Sequence, residues 1–164
     1  MLGLAPRLVA ASFTAAVLLV GLPLAQASHY RLPVADFISS QESSLLLKAG
    51  VRTTLGLLQE VGTAAQRAHL SGVTGLSSAR IDELACHVDL LRLDGVGPSM
   101  VRLMAAAGVR HTRALKGESA ASLHARMAAI NQTQRIAPVL PPEGLVAAWV
   151  AAAGRLPQVI DGLP

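Results

Sequence analysis

The stretch best suited to chemistry is the turn Asp94-Gly95-Val96-Gly97-Pro98, in which two glycines flank one apolar residue and a proline follows. Glycine adopts the left-handed conformation at little steric cost, and proline suits the first position of a helix. The pattern predicts a tight reversal that directs backbone N–H groups outward beside a helix start. Such a turn can bind an anion such as a DNA phosphate, or it can serve only to pack two helices.

Positive charge is concentrated around this turn. Between residues 92 and 126 the chain carries six basic residues but only two acidic ones, Asp94 and Glu118. Amides and basic side chains together would contact nucleic-acid phosphates without reading base sequence, and such binding weakens steeply with salt. The candidate nucleic-acid-binding residues are Gly95, Val96, Gly97, Ser99, Arg92, Arg102, Arg110, Arg113 and Lys116.

The same features also fit a turn that only packs helices. Asp94 places an acid where a phosphate would be repelled, and this density of basic residues is common on ordinary protein surfaces. Both interpretations stay open. If Gly97 has a positive φ, Gly97→Val is expected to destabilise the turn strongly, because a β-branched residue is strained there.

No other residues form a recognisable catalytic or metal-binding set. The single cysteine, Cys86, lies on a predicted helix, where a small core residue is the ordinary interpretation. The acids Asp82, Glu83 and Asp89 are typical of side chains that complement a helix dipole. We therefore expect no catalytic residues, no metal and no cofactor. Half-buried or surface positions are expected for His87, His111 and His124.

The elements that position the turn are predicted to be helices. Apolar residues make up 52% of the chain and aromatic residues only 2%, so Ala, Leu and Val must build a closely packed core. Trp149, the sole tryptophan, is expected to lock the last helix onto this core. Apolar spacing, caps and breakers predict helices over 63–70, 78–91, 120–130 and 143–153, with another beginning at Pro98.

The amino-terminal residues resemble an export signal. A short start with Arg7 precedes the apolar run 8–22, and Ala25-Gln26-Ala27 matches the motif that signal peptidase cleaves, before Ser28. An uncleaved membrane anchor is the alternative, and either version places the domain in a bacterial periplasm or outside the cell. The predicted boundaries are a signal peptide over 1–27, a helix-hairpin-helix domain over 28–157 and a loose tail over 158–164.

A weak internal repeat relates two parts of the domain. Residues 45–54 match residues 103–112 at a constant offset of 58 residues, and in both copies a helix ends at Ala-Gly. The same offset places the Gly-Val-Gly turn on Phe37-Ile38-Ser39, so the first copy lacks both glycines and should keep only a packing role. The predicted fold is all-α, a compact tandem helix-hairpin-helix domain with one intact and one degenerate hairpin.

Several motifs between residues 32 and 157 also occur together in a bacterial family. They are the segment Ala85 to Val101, Ser122-Leu123-His124-Ala125, Asn131, Leu140-Pro141, and Trp149 ahead of Leu156-Pro157. In these motifs the chain resembles the domain of unknown function 4332. The resemblance implies a compact domain of two helix-hairpin-helix units related to DNA-binding modules, and no established activity. The first hairpin departs from the family's proline-glycine turn, which weakens two-site DNA binding.

The expected function is binding without catalysis. The degenerate first hairpin, Asp94 and the export signal favour a protein-interaction or scaffold module with an unknown protein partner. The alternative is weak, sequence-independent binding of DNA phosphates through the turn at Gly95–Gly97 and its basic surroundings, by analogy with exported helix-hairpin-helix DNA receptors. We predict neither an enzyme nor a small-molecule substrate, and membrane contact only through an uncleaved amino-terminal segment.

Overall fold

The computed structural model describes residues 29–163 of the 164-residue chain. Within this range the chain forms eight α-helices and no strand, which confirms the all-α prediction. The helices are α1 Ser40–Lys48, α2 Thr54–Glu60, α3 Ala64–Thr74, α4 Ser78–Leu90, α5 Pro98–Ala106, α6 Thr112–Leu115, α7 Ala120–Gln134 and α8 Glu143–Ala153. A 3₁₀ turn over Leu32–Val34 precedes them. None of the described helices is long and apolar enough to span a membrane. The predicted signal peptide, 1–27, lies outside the described residues.

Helix α4 lies at the centre of the fold. It packs against α2, α3 and α5, while α7 packs against α5 and α8. From Leu84 to Leu90 every residue of α4 is buried, whereas a surface helix would bury only one stripe. The described core is almost entirely aliphatic, as the composition predicts.

Local signals in the sequence place most helix ends correctly. Helix α8 has the predicted bounds, and α4 ends one residue earlier than predicted. The helix predicted over 63–70 is longer than expected, because α3 continues through Gly72 to Thr74 and the left-handed residue that ends it is Gly75, with φ 73°. Helix α7 likewise extends past residue 130 and ends at Arg135, whose φ is 50°.

The chain reverses between α4 and α5, as the glycine-rich turn predicts. The glycine with a positive φ is Gly95, at 73°, whereas Gly97 has φ −97° and ψ 174°. Gly97 is the N-cap of α5, a position with extended backbone that many residues adopt. Gly97 does not have the positive φ on which the predicted severe effect of Gly97→Val depends. The position in this turn that requires glycine is Gly95.

The internal repeat is a repeat of backbone structure. Val51 N–H donates to the Leu46 carbonyl at 2.9 Å, and at an offset of 58 residues Val109 N–H donates to the Met104 carbonyl at 2.9 Å. Gly50 and Gly108 both have a left-handed conformation, with φ 88° and 89°. Leu57 and Leu115 also share a buried position.

The two copies differ where their first turns begin. In the first copy the 3₁₀ turn Leu32–Val34 precedes the reversal that leads into α1. Within this reversal the Phe37 carbonyl accepts a hydrogen bond from Arg80 of α4 at 2.6 Å. The turn thus keeps the expected packing role. At the same offset of 58 residues, positions 78–86 of α4 correspond to residues 20–28, which lie outside the described residues.

The prediction of a loose carboxyl-terminal tail is wrong for 158–163. Ile160 and Leu163 are only 5% and 8% exposed, and Asp161 N–H donates to the Gly62 carbonyl at 2.8 Å. Arg113 of α6 also donates to the Leu163 carbonyl at 2.6 Å. Two buried aliphatic side chains and these hydrogen bonds hold the segment on the domain.

We predict that Gly95→Ala lowers the free energy of unfolding by about 1–2 kcal/mol, because an L-residue at its φ of 73° is strained. Gly97→Ser is the matched control and should lower stability by less than about 0.5 kcal/mol, since its backbone is extended and serine is favoured at an N-cap. Urea denaturation of both variants measures the difference. Equal destabilisation by the two substitutions would contradict the assignment of the left-handed position to Gly95.

Candidate functional site

The turn between α4 and α5 is held against the core by Trp149 of α8. The indole Nε1–H donates to the Asp94 carbonyl at 2.9 Å, and the tryptophan is 2% exposed. Val96 is fully buried and its N–H donates to the Leu93 carbonyl at 3.2 Å. The turn is therefore a rigid packing element as well as a candidate binding loop. Trp149 locks α8 as predicted, and it does so through the turn itself.

The start of α5 leaves backbone donors open. Gly97 has no side chain to cap the helix, and within residues 29–163 the N–H groups of Ser99 and Met100 have no acceptor. The start of α1 is different, because Glu42 N–H donates to Ser39 Oγ at 3.2 Å and Ser39 N–H donates to Glu42 Oε2 at 2.8 Å. The two equivalent starts therefore differ at the third helical amide, because Glu42 N–H is capped by Ser39 whereas Met100 N–H has no side-chain cap and can bind an anion.

Three of the basic residues predicted to contact phosphates are held by partners inside the domain. Arg92 is 9% exposed, bonds Asp89 at 2.7 Å and donates to the Pro157 carbonyl at 2.8 Å. Arg102 pairs with Asp36 at 3.0 Å. Arg113 holds the Leu163 carbonyl.

Arg110, Arg113 and Lys116 form no ion pair in the described part of the chain, and all three are exposed. Of these, Arg110 and Lys116 also lack a side-chain hydrogen bond there, whereas Arg113 donates to the Leu163 carbonyl. The structure thus does not gather the predicted set into one free cationic surface. Of the five predicted basic side chains, two are neutralised by acids of the domain, Arg92 by Asp89 and Arg102 by Asp36.

Asp89 is the polar residue that sequence reasoning missed. Its carboxylate is 6% exposed, with Oδ1 bonded by Arg92 and Oδ2 accepting from Thr112 N–H at 2.8 Å and Thr112 Oγ1–H at 2.7 Å. The helix-dipole interpretation is wrong for this acid, because it lies in the last turn of α4. Its signal in the sequence is an acid inside a long apolar run, three residues before an arginine.

A family model covers every helix of the described range. The model for the domain of unknown function DUF4332 matches residues 36–156. The chain belongs to the DUF4332 family. No curated protein and no solved structure matches the chain. Membership assigns no activity to this DUF4332 domain.

The cysteine and histidine of α4 are deeper in this DUF4332 domain than a reactive pair would be. Cys86 is 5% exposed, and burial raises the pKa of its thiol to about 11, so it stays protonated. The prediction of a surface or half-buried His87 is wrong, because it is 6% exposed and packs edge-on against Phe37. Among residues 29–163 no three metal-ligating side chains converge.

We predict that Asp89→Ala lowers the free energy of unfolding by about 3–5 kcal/mol, because it leaves the buried Arg92 guanidinium without its counter-ion. Asp36→Ala is the matched control. It removes the acid of an exposed pair with Arg102 and should cost at most about 1 kcal/mol. Urea denaturation compares the two, and a similar loss in both variants would show that Asp89 is not a structural centre.

We predict that Glu42 makes the stability of the domain fall in acid. The hydrogen bond from Arg80 is the main reason that the pKa of Glu42 is lowered from 4.5 to about 2. A lowered pKa stabilises the folded state fully above the unfolded value, and the contribution disappears as pH falls from about 4.5 to about 2. The stability difference between the wild type and Glu42→Gln should therefore shrink over this range in denaturant titrations.

The control for Glu42 is Glu83→Gln, which removes the more exposed partner of the same arginine. We expect a smaller pH-dependent difference from it, since exposed pairs contribute little. A Glu42→Gln difference that stays constant with pH would contradict the role of the Glu42–Arg80 bond.

Proposed function

We propose that this DUF4332 domain is an exported, non-catalytic module that binds another protein, and that its α4–α5 unit is a helix-hairpin-helix used mainly for packing. The observation that carries the proposal is a groove of about 240 Å³ between the 3₁₀ turn and α1. Its wall is formed by Pro33, Ile38, Ser40, Ser43, Ser44 and Leu47. The proposal of export rests on the signal peptide predicted from the sequence of residues 1–27.

The groove combines apolar surface with an unused hydroxyl. Leu47 is 41% exposed and Val34, which follows Pro33, is 62% exposed. Ser43 is 3% exposed and its Oγ has no hydrogen-bond partner in the described range. A buried hydroxyl without a partner is costly, and a ligand group can satisfy it. The occupant we propose is a short segment of a partner protein that inserts an apolar side chain and offers a polar group to Ser43.

The distribution of charge supports a protein partner over DNA. Arg92, Arg102 and Arg113 are engaged inside the domain, so a phosphate backbone would have to displace those contacts. Counterion release, which dominates DNA affinity, needs free cations. The Tyr30 hydroxyl also lies beside the turn, 3.4 Å from where a Cβ on Gly97 would be, so it occupies part of the space next to the start of α5.

A second candidate function is sequence-independent binding of DNA phosphates at the start of α5. It is favoured by the open N–H groups of Ser99 and Met100 and by the unpaired Arg110 and Lys116. This contact would involve few charges, so its affinity should be weak and lost at moderate salt.

Site-specific photo-crosslinking tests the protein-binding proposal. A photoreactive amino acid at Leu47 should give a discrete protein adduct in the bacterial envelope that survives nuclease. The same group at Val73, an apolar position on α3 that is 55% exposed, is the control and should give none. Ser43→Ala should weaken the adduct at Leu47 while leaving the melting temperature nearly unchanged.

Duplex DNA titrated at low salt provides the opposing outcome. Binding that is lost in both Arg110→Glu and Lys116→Glu, together with no adduct at Leu47, would overturn the protein-binding proposal in favour of DNA. No DNA binding at low salt, with the adduct present, supports it.

A further inference from the structure

A second cleft lies between α4 and α5, away from the groove at α1. Its volume is about 480 Å³. Its wall is formed by Ala79, Glu83, Cys86, His87, Ala105, Ala106 and Arg110. The α4 members recur at helical spacing, so they share the face that looks toward α5. Three alanines on the two helices leave the space open, because none of them carries a side chain beyond Cβ.

His87 is the polar group of the cleft that the fold leaves unused. It is 6% exposed, its ring packs on Phe37 with centroids 5.0 Å apart, and its Nδ1 has no hydrogen-bond partner among residues 29–163. Burial lowers the pKa of this imidazole, Arg80 and Arg110 lower it further, and Glu83 opposes them. A neutral imidazole in a cleft wall supplies one N–H donor and one acceptor.

The charge that the cleft presents to a ligand is positive. Glu83 is already bonded by Arg80 at 2.7 Å, whereas Arg110 is exposed and has no ion-pair partner in the described segment. Cys86 adds a neutral thiol, since its pKa is raised to about 11. One free guanidinium beside a neutral imidazole and a floor of methyl groups is suited to an anion with a small apolar body.

We propose that the α4–α5 cleft binds a small monocarboxylate, with the carboxylate paired to Arg110 and hydrogen-bonded to His87, and a short aliphatic chain on Ala79, Ala105 and Ala106. The planar guanidinium fork matches a carboxylate. A phosphate dianion fits less well, because it would bring a second negative charge toward Glu83 and would leave the methyl groups uncovered. The site shares no residue with the groove at α1.

Titration of the protein with sodium butyrate tests the proposal. Binding is monitored by NMR through the backbone amide signals and the His87 ring signals. Saturable shifts centred on Cys86, His87 and Arg110 at millimolar butyrate are expected. Butyramide, which has the same chain without the charge, should give no saturable shift, and inorganic phosphate should bind more weakly than butyrate.

Two substitutions and one control complete the test. Arg110→Gln should weaken butyrate binding by about tenfold or more, and Ala106→Leu should block it by filling the exposed side of the cleft. Arg155→Gln, at an exposed arginine beyond α8, should leave it unchanged. Absence of saturable shifts, butyramide binding equal to butyrate, or full binding by Arg110→Gln would overturn the proposal. None of these results depends on the protein adduct at Leu47.

Discussion

The carboxylate of Asp89 is the constraint on which the arrangement of the helices depends. A charge that is 6% exposed must be compensated on both oxygens, and here one oxygen is bonded by Arg92 and the other by the backbone and hydroxyl of Thr112. These contacts connect the last turn of α4 to the first residue of α6. Arg92 in turn reaches the Pro157 carbonyl, so the same charge also fixes the chain beyond α8. The single charge of Asp89 therefore holds α4, α6 and the chain beyond α8 together, directly or through Arg92.

The two copies of the repeat show how one backbone pattern supports different chemistry. Both keep the same hydrogen bonds at the end of the first helix and the same left-handed glycines, Gly50 and Gly108. Their helix starts have diverged, because Ser39 and Glu42 form a capping box at the start of α1, whereas Gly97 has no side chain to cap α5. Glu42 then gains Arg80 as a partner, which ties the first copy to α4. A shared fold thus carries one start with a capping box and one with no side-chain cap.

Sequence reasoning succeeded where the determining signals are local. Caps, apolar spacing and breakers lie within one or two turns of the helix ends that they set, so the bounds of α4 and α8 and the start of α5 at Pro98 were predictable. It left open whether Gly97 is left-handed, because which glycine adopts that conformation depends on the whole turn, including the hydrogen bond from the Trp149 indole to the Asp94 carbonyl. The loose-tail prediction failed for the same reason, since Ile160 and Leu163 are buried against distant segments.

The basic residues around the turn show most clearly which contacts cannot be predicted from the sequence. Asp36, which pairs with Arg102, lies 66 residues away along the chain, and the carbonyls that accept from Arg92 and Arg113 lie 65 and 50 residues away, so no spacing rule could reveal these contacts. Charge density in a sequence therefore measures how many cations a segment carries, and only the fold decides how many face solvent. Arg110 is left unpaired at the edge of a cleft lined by methyl groups, and an unpaired cation beside apolar surface is a setting for a specific small anion more than for a polyanion.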